Sequence, residues 1–110
     1  MVSVKEERVE FFSDNLKLVG ILDLPEREPP DRIIIFCHGI AYDKNEYNNF
    51  FAKVAEFFCE NNFAVFRFDF RSHGESEGKQ EEMTPTGEAR DIDAAIRFSL
   101  NASIKLNPSR

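Results

Sequence analysis

The sequence predicts an α/β domain, a β-hairpin followed by β-α-β-α around a mostly parallel sheet. Three observations carry that expectation. Two apolar runs, Ile33 to Cys37 and Phe63 to Phe68, lack the alternation of a half-exposed strand and suit strands covered on both faces. Between them, apolar residues recur at helical spacing. A strand, helix, strand order makes a right-handed parallel crossover the default connection.

Taken in order, Leu16, Leu18, Ile21 and Leu22 supply the apolar positions of a hairpin that turns at Ser13-Asp14-Asn15. Pro25 to Asp31, rich in proline and charge, is expected to form an exposed linker into the strand at Ile33. After His38-Gly39-Ile40, Asp43 and Glu46 have the spacing of a capping box and announce a helix. Its apolar stripe would comprise Tyr47, Phe50, Phe51, Val54, Ala55 and Phe58. Asn61-Asn62 would end it, because asparagine tolerates the left-handed backbone. A polar, glycine-punctuated loop runs from Asp69 to Glu82. Thr84-Pro85 then opens a second helix with Ala89, Ile92, Ala95, Ile96 and Leu100 on its apolar side, and Asn107-Pro108 signals a turn.

With 110 residues, 42% hydrophobic and 31% charged, the chain has the composition of one soluble domain or part of one. A net charge of −6 disfavours nucleic acid and anionic membrane surfaces as partners, since both attract basic patches. A small neutral or apolar ligand fits better. No apolar run approaches the roughly 20 residues that span a bilayer. Cys37 and Cys59 sit where small hydrophobes belong, and the start MVSVKEERVE has no signal-peptide pattern, so reduced core cysteines in a cytoplasmic protein are expected. His38 and His73 have no ligand-spaced carboxylate or cysteine beside them, which argues against a metal site, and no cofactor is expected.

The stretch Gly74-Glu75-Ser76-Glu77-Gly78 matches the G-x-S-x-G pattern that carries the nucleophile of many hydrolases. Its setting opposes that role. A nucleophile elbow lies directly between strand and helix, whereas GESEG stands several residues beyond Phe68 and is separated from the next helix by KQEEM. Glu75, Glu77, Glu81 and Glu82 would oppose an alkoxide or oxyanion. Both histidines precede Ser76, while in α/β enzymes of this type the base follows the nucleophile. The order His38, Asp69, Ser76 is that of chymotrypsin-like enzymes, which are β-barrels. Ser76 is therefore expected to be a polar loop residue bonded within its own turn.

FCHGI after one buried strand and FDFRSHGES after the next resemble the α/β-hydrolase family, particularly its esterase, lipase-like and peptidase-like members. In that family HG-x follows the third strand and D-x-R-G-H-G-x-S the fourth. The resemblance implies that this chain is the N-terminal part of an α/β-hydrolase fold, a single incomplete domain over residues 1–110. It implies that the N–H of Ile40, after His38-Gly39, helps form an oxyanion hole, with Gly39 permitting close approach of substrate and His38 orienting the loop. Asp69, Arg71, His73, Gly74 and Ser76 would form a structural loop beside the site, Asp69 and Arg71 pinning it through an ion pair and backbone hydrogen bonds; the plainer alternative is a solvated surface pair. Ser72 stands where the family usually has glycine.

In the family, the segment after this second helix resembles N-P-x-R-I-G-L-x-G-H-S-x-G-G, leading into the nucleophile elbow, and this chain ends Leu106-Asn107-Pro108-Ser109-Arg110. The resemblance thus implies a serine hydrolase of esters, thioesters or amides whose triad lies outside these residues, so that the chain alone is inactive. A fifth strand would pair with Ile33 to Cys37, and without it that edge is a template for self-association or for complementation by a C-terminal fragment. The alternatives are a non-catalytic α/β interaction module using that edge, and a truncated gene product.

Overall fold

A computed structural model of the chain describes residues 4–26, 29–30, 32–39 and 42–106. Strands β1 (Val4–Ser13) and β2 (Leu16–Pro25) form the hairpin, and β3 (Arg32–Cys37) follows. A 3-10 turn, Tyr47–Asn49, leads into α1 (Phe50–Glu60), then β4 (Phe63–Phe68), a second 3-10 turn, Gln80–Glu82, and α2 (Pro85–Leu106). Asp14 and Asn15 close the hairpin with φ of 50° and 65°. A two-residue turn of that kind matches the twist of its strands, and asparagine and aspartate tolerate it better than other side chains.

The sheet order is β1-β2-β4-β3. Only β3 and β4 run parallel; β1 with β2 and β2 with β4 are antiparallel. The sheet is therefore mixed rather than mostly parallel, because the hairpin supplies two of its four strands. Period-two alternation divides the interior between the helices. Leu18, Leu22, Phe66 and Phe68 belong to a cluster completed by Phe11 and, from α2, Ala95 and Phe98. The rings of Phe66 and Phe98 lie 4.8 Å apart and those of Phe11 and Phe66 meet edge-on at 5.4 Å. Burying each such side chain contributes about 1.5–3 kcal/mol. Gly20 belongs to this packing, since a Cβ there would come within 2.6 Å of the Phe66 ring. Across the sheet, Phe36 packs on Phe51 and Phe58 of α1.

Several local expectations change. Pro25 closes β2 and Pro30 is buried, so the linker is not wholly exposed; Arg27, Glu28 and Asp31 lie outside the described residues, as do Asn107 and Pro108. Asp43 and Glu46 do not cap α1, which starts at Phe50 from a left-handed Asn49 without a side-chain cap. Tyr47 and Phe50 are exposed, so the buried stripe of α1 is shorter than its apolar pattern. Asn62 does take the left-handed backbone, φ 66°, after the helix. Among the described side chains of α2 the buried positions are Gly87, Asp91, Ala95 and Ser99, while Ala89, Ile96 and Leu100 are exposed. The helix is rotated from its apolar pattern because Asp91 is drawn inward by an arginine. Cys59 is buried as expected and Cys37 is exposed, both as free thiols. Burial pushes the Cys59 thiol up to about 12. No helix among the described residues is long and apolar enough to cross a membrane.

Candidate functional site

The turn after β3 and the loop after β4 meet at the carboxyl end of the parallel pair, and His38 joins them. Its Nε2 accepts the Phe70 N–H at 3.0 Å. Accepting there leaves the ring proton on Nδ1, which donates to the Gly39 carbonyl at 2.7 Å. The His73 ring lies 4.8 Å from that of His38, and its Nδ1 donates to the Arg71 carbonyl at 2.9 Å. Both histidines are buried and orient backbone. Gly39 is exposed, and among the described residues a methyl group in its place would meet only Tyr42, at 3.8 Å. Ile40 lies outside the described residues.

Asp69 and Arg71 do not pair with each other, and neither is a solvated surface group. The Asp69 carboxylate, fully buried, accepts the Lys44 N–H at 2.7 Å, the Lys44 Nζ at 2.9 Å and the Glu75 N–H at 2.9 Å. Gly74, at φ 50°, rests on this carboxylate; a Cβ there would fall 2.5 Å from Asp69 Cγ. Arg71 turns the other way, toward α2. Its Nε and Nη2 donate to Asp91 Oδ1, its backbone N–H donates to Asp91 Oδ2, and Nη2 also reaches Asp14 at 3.0 Å. The two side chains diverge and clamp opposite sides of one loop. Ser72 adopts φ 67°, the conformation for which glycine is suited, and its Oγ donates to the Lys79 carbonyl at 2.5 Å.

The GESEG segment extends the sheet. Beyond the end of β4 the first half of β2 would lack a partner on the side away from β1, and this loop takes that place. Asp69 N–H donates to the Val19 carbonyl, Glu77 N–H to the Lys17 carbonyl, and Lys17 N–H to the Glu77 carboxylate. Ser76 completes the row: its Oγ accepts the Val19 N–H at 2.9 Å and donates to the Asp69 carbonyl at 2.6 Å. Its hydroxyl thus joins the interior of β2 to the residue just after β4, beyond its own turn.

Residues to which sequence patterning assigned no such role hold the segment before α1 in place. Arg67, buried in β4, pairs with the buried Asp23 of β2 at 2.7 Å and also donates to Asn45 Oδ1 and Glu6. Glu46 accepts the Gly39 N–H at 2.9 Å. An i, i+3 acidic pair resembles a cap whether or not it is one, and a charge inside an apolar strand gives no hint of its cross-strand partner. Among the described residues no group of histidine, cysteine and carboxylate side chains could hold a metal.

Titration of these groups sets a pH window. Burial opposes the Lys44 charge, yet its hydrogen bonds to Glu75 and Asp69 outweigh that and raise it above the ordinary 10.5. A cation raised in the folded state stabilises fully below its unfolded value, and that contribution drains away as pH climbs through the folded one. Asp14, hydrogen-bonded by Arg71 and Arg90, and Glu75, hydrogen-bonded by Lys44, are held below their ordinary 3.8 and 4.5. Their contribution is present above those values and is lost on further acidification. Urea midpoints measured against pH should therefore form a plateau that falls on both sides, and Lys44→Met should make the alkaline limb shallower, the buried Cys59 thiol supplying the remainder.

The family described as serine aminopeptidase, S33, matches residues 28–106. The chain belongs to this family. It is 33% identical over 76 residues to an uncharacterized 31.7 kDa protein of Escherichia coli from the traX-finO intergenic region, a match covering 69% of this chain and 26% of that protein. Among solved structures it is similar to Est1E from Butyrivibrio proteoclasticus, determined with ferulic acid bound, at TM-score 0.74 and 27% identity over 82% of this chain and 36% of that one. An esterase of Pyrococcus furiosus superposes at TM-score 0.70 and 26% identity, over 94% of this chain and 36% of that one. The fold is that of the N-terminal portion of an α/β hydrolase. The chain spans about a quarter to a third of the length of these relatives.

Proposed function

We propose that this chain is the N-terminal portion of a serine hydrolase acting on carboxylic esters, thioesters or amides, and that it contributes part of the oxyanion hole from His38, Gly39 and Ile40. The nucleophile, acid and base lie outside these 110 residues in this reading. The observation that carries it is the His38 bridge: an imidazole spent on the Phe70 N–H and the Gly39 carbonyl holds the turn rigidly where β3 ends. Ligands of open α/β sheets bind outside the carboxyl ends of the strands. The open space around Gly39 leaves room for an acyl carbonyl to approach. Attack by a serine hydroxyl on that carbonyl puts negative charge on its oxygen, and a preorganised N–H donor there contributes about 2.7–4 kcal/mol to the transition state. Asp69, Arg71, His73, Gly74 and Ser76 serve as the loop beside the site.

The 110-residue chain should turn over p-nitrophenyl acetate no faster than its Ser76→Ala variant, and a fluorophosphonate should label neither. A longer product of the same gene should hydrolyse the ester and take the label on a serine beyond Arg110. Labelling of Ser76, or an inert longer product, would sink the proposal.

One observation favours a second role for the isolated chain. β3 pairs with β4 on one side and, among the described residues, with nothing on the other. Strand addition along Ile33 to Cys37, by a second copy or by a C-terminal fragment, would satisfy that edge. Sedimentation should show concentration-dependent association that Ile34→Asp abolishes; a stable monomer at high concentration, with slow amide exchange along Ile33 to Cys37, excludes it.

A further inference from the structure

Glu46 has φ 59° and ψ −173°, a backbone conformation that is essentially confined to glycine. A side chain kept there at an energetic cost calls for a reason, and α1 offers none, since Glu46 does not cap it. Its carboxylate instead reaches back seven residues to the Gly39 N–H. The ground beneath it is firm. Glu46 N–H donates to the Asp43 carbonyl at 2.9 Å, Lys44 is bound through both its N–H and its Nζ to buried Asp69, and Asn45 Oδ1 accepts from buried Arg67. Two consecutive residues, Lys44 and Asn45, are thus tied to buried groups in and just after β4, and the next, Glu46, aims a carboxylate at the turn after β3.

We infer that Glu46 is a positioning residue for the His38-Gly39 turn. His38 fixes the Gly39 carbonyl and Glu46 fixes the Gly39 N–H, so both flanking peptide groups of that glycine are oriented before any substrate arrives. The Gly39 N–H is consequently not a donor to substrate; the carboxylate occupies it. The role in catalysis rests on the hydrolase reading above, whereas the positioning itself does not.

The test measures Gly39 amide exchange in the 110-residue chain carrying Glu46→Ala, Glu46→Gln or Glu46→Gly. Loss of the acceptor should speed Gly39 exchange roughly tenfold in the alanine and glycine variants, as expected for one net hydrogen bond, with the amides of Leu22 and Phe66 unchanged. Glutamine keeps an acceptor oxygen and should retain most of the protection. Glycine, relieved of strain, should melt higher than alanine while leaving Gly39 just as unprotected, which separates positioning from stability. Wild-type exchange at Gly39 in the alanine and glycine variants, or exchange as fast in the glutamine variant as in alanine, overturns the inference. In an active longer product, Glu46→Ala should lower kcat more than it changes KM, and glutamine should restore it. An inert longer product would count against the hydrolase reading and leave the exchange result standing.

Discussion

Asp91→Ala is expected to cost about 3–5 kcal/mol, the scale on which removal of one partner from a buried ion pair is felt. Asp91 is fully buried and takes both Nε and Nη2 of Arg71 as well as the Arg71 backbone N–H. Without it the guanidinium, itself buried, keeps only Asp14 and Ser13. A domain of this size has about 5–15 kcal/mol in total, so a large share would go. Asp91→Asn, which preserves the shape and an acceptor, should lose distinctly less. Urea midpoints at unchanged slope measure both; an alanine variant within about 1 kcal/mol of the parent would mean that Arg71 finds water instead.

Arg67→Met should be comparably damaging, and its partner substitution should reverse the loss. Asp23 is buried and its carboxyl is already pushed up by burial, against which the Arg67 hydrogen bonds work. Losing the guanidinium leaves an uncompensated carboxylate that will take up a proton rather than stay charged. A carboxyl raised in the folded state makes folding less favourable as pH rises, so the deficit of about 3–5 kcal/mol should be larger at neutral than at acidic pH. Removing both charges, Asp23→Leu with Arg67→Met, should recover most of the stability or exceed it, because the paired desolvation cost disappears as well. A double variant no better than the single one would show that the Asn45 and Glu6 contacts of Arg67 carry the effect.

These two pairs also mark the boundary of what was legible in the sequence. The hairpin turn could be placed from Asp14-Asn15, the two inner strands from runs of contiguous apolar residues, and the histidine turn from its position at a strand end. Each is a local signal. The rotation of α2 was hidden because hydrophobic periodicity counts Asp91 as an outward residue, although Arg71 pulls it inside. Asp69 and Arg71 stand two residues apart and invite pairing, yet their true partners lie 25 residues back and 20 ahead. Lys44, Asp23 and Arg67 were missed, and Glu46 was given a helix cap in place of its bond to Gly39, for the same reason: a charge in the sequence carries no address. Ser76 reads in sequence as a residue bonded within its own turn, but its reach to Val19 could come only from the meeting of segments distant in sequence.

The strand order has a bearing on how the chain acquires its shape. β4, in the interior of the sheet, joins β2 by pairing Gly20 with Phe68 and Asp23 with Val65, and β3 by a parallel crossover through α1. The β1-β2 hairpin can close in microseconds because its ends are neighbours, whereas docking of β4 must wait for a long loop to close. The slow step of folding is then expected to be the arrival of Phe63 to Phe68, the segment that also brings Arg67 to Asp23. Until it arrives, a preformed hairpin presents one side of β2 unsatisfied, and refolding at high protein concentration should be slowed by transient association through that side.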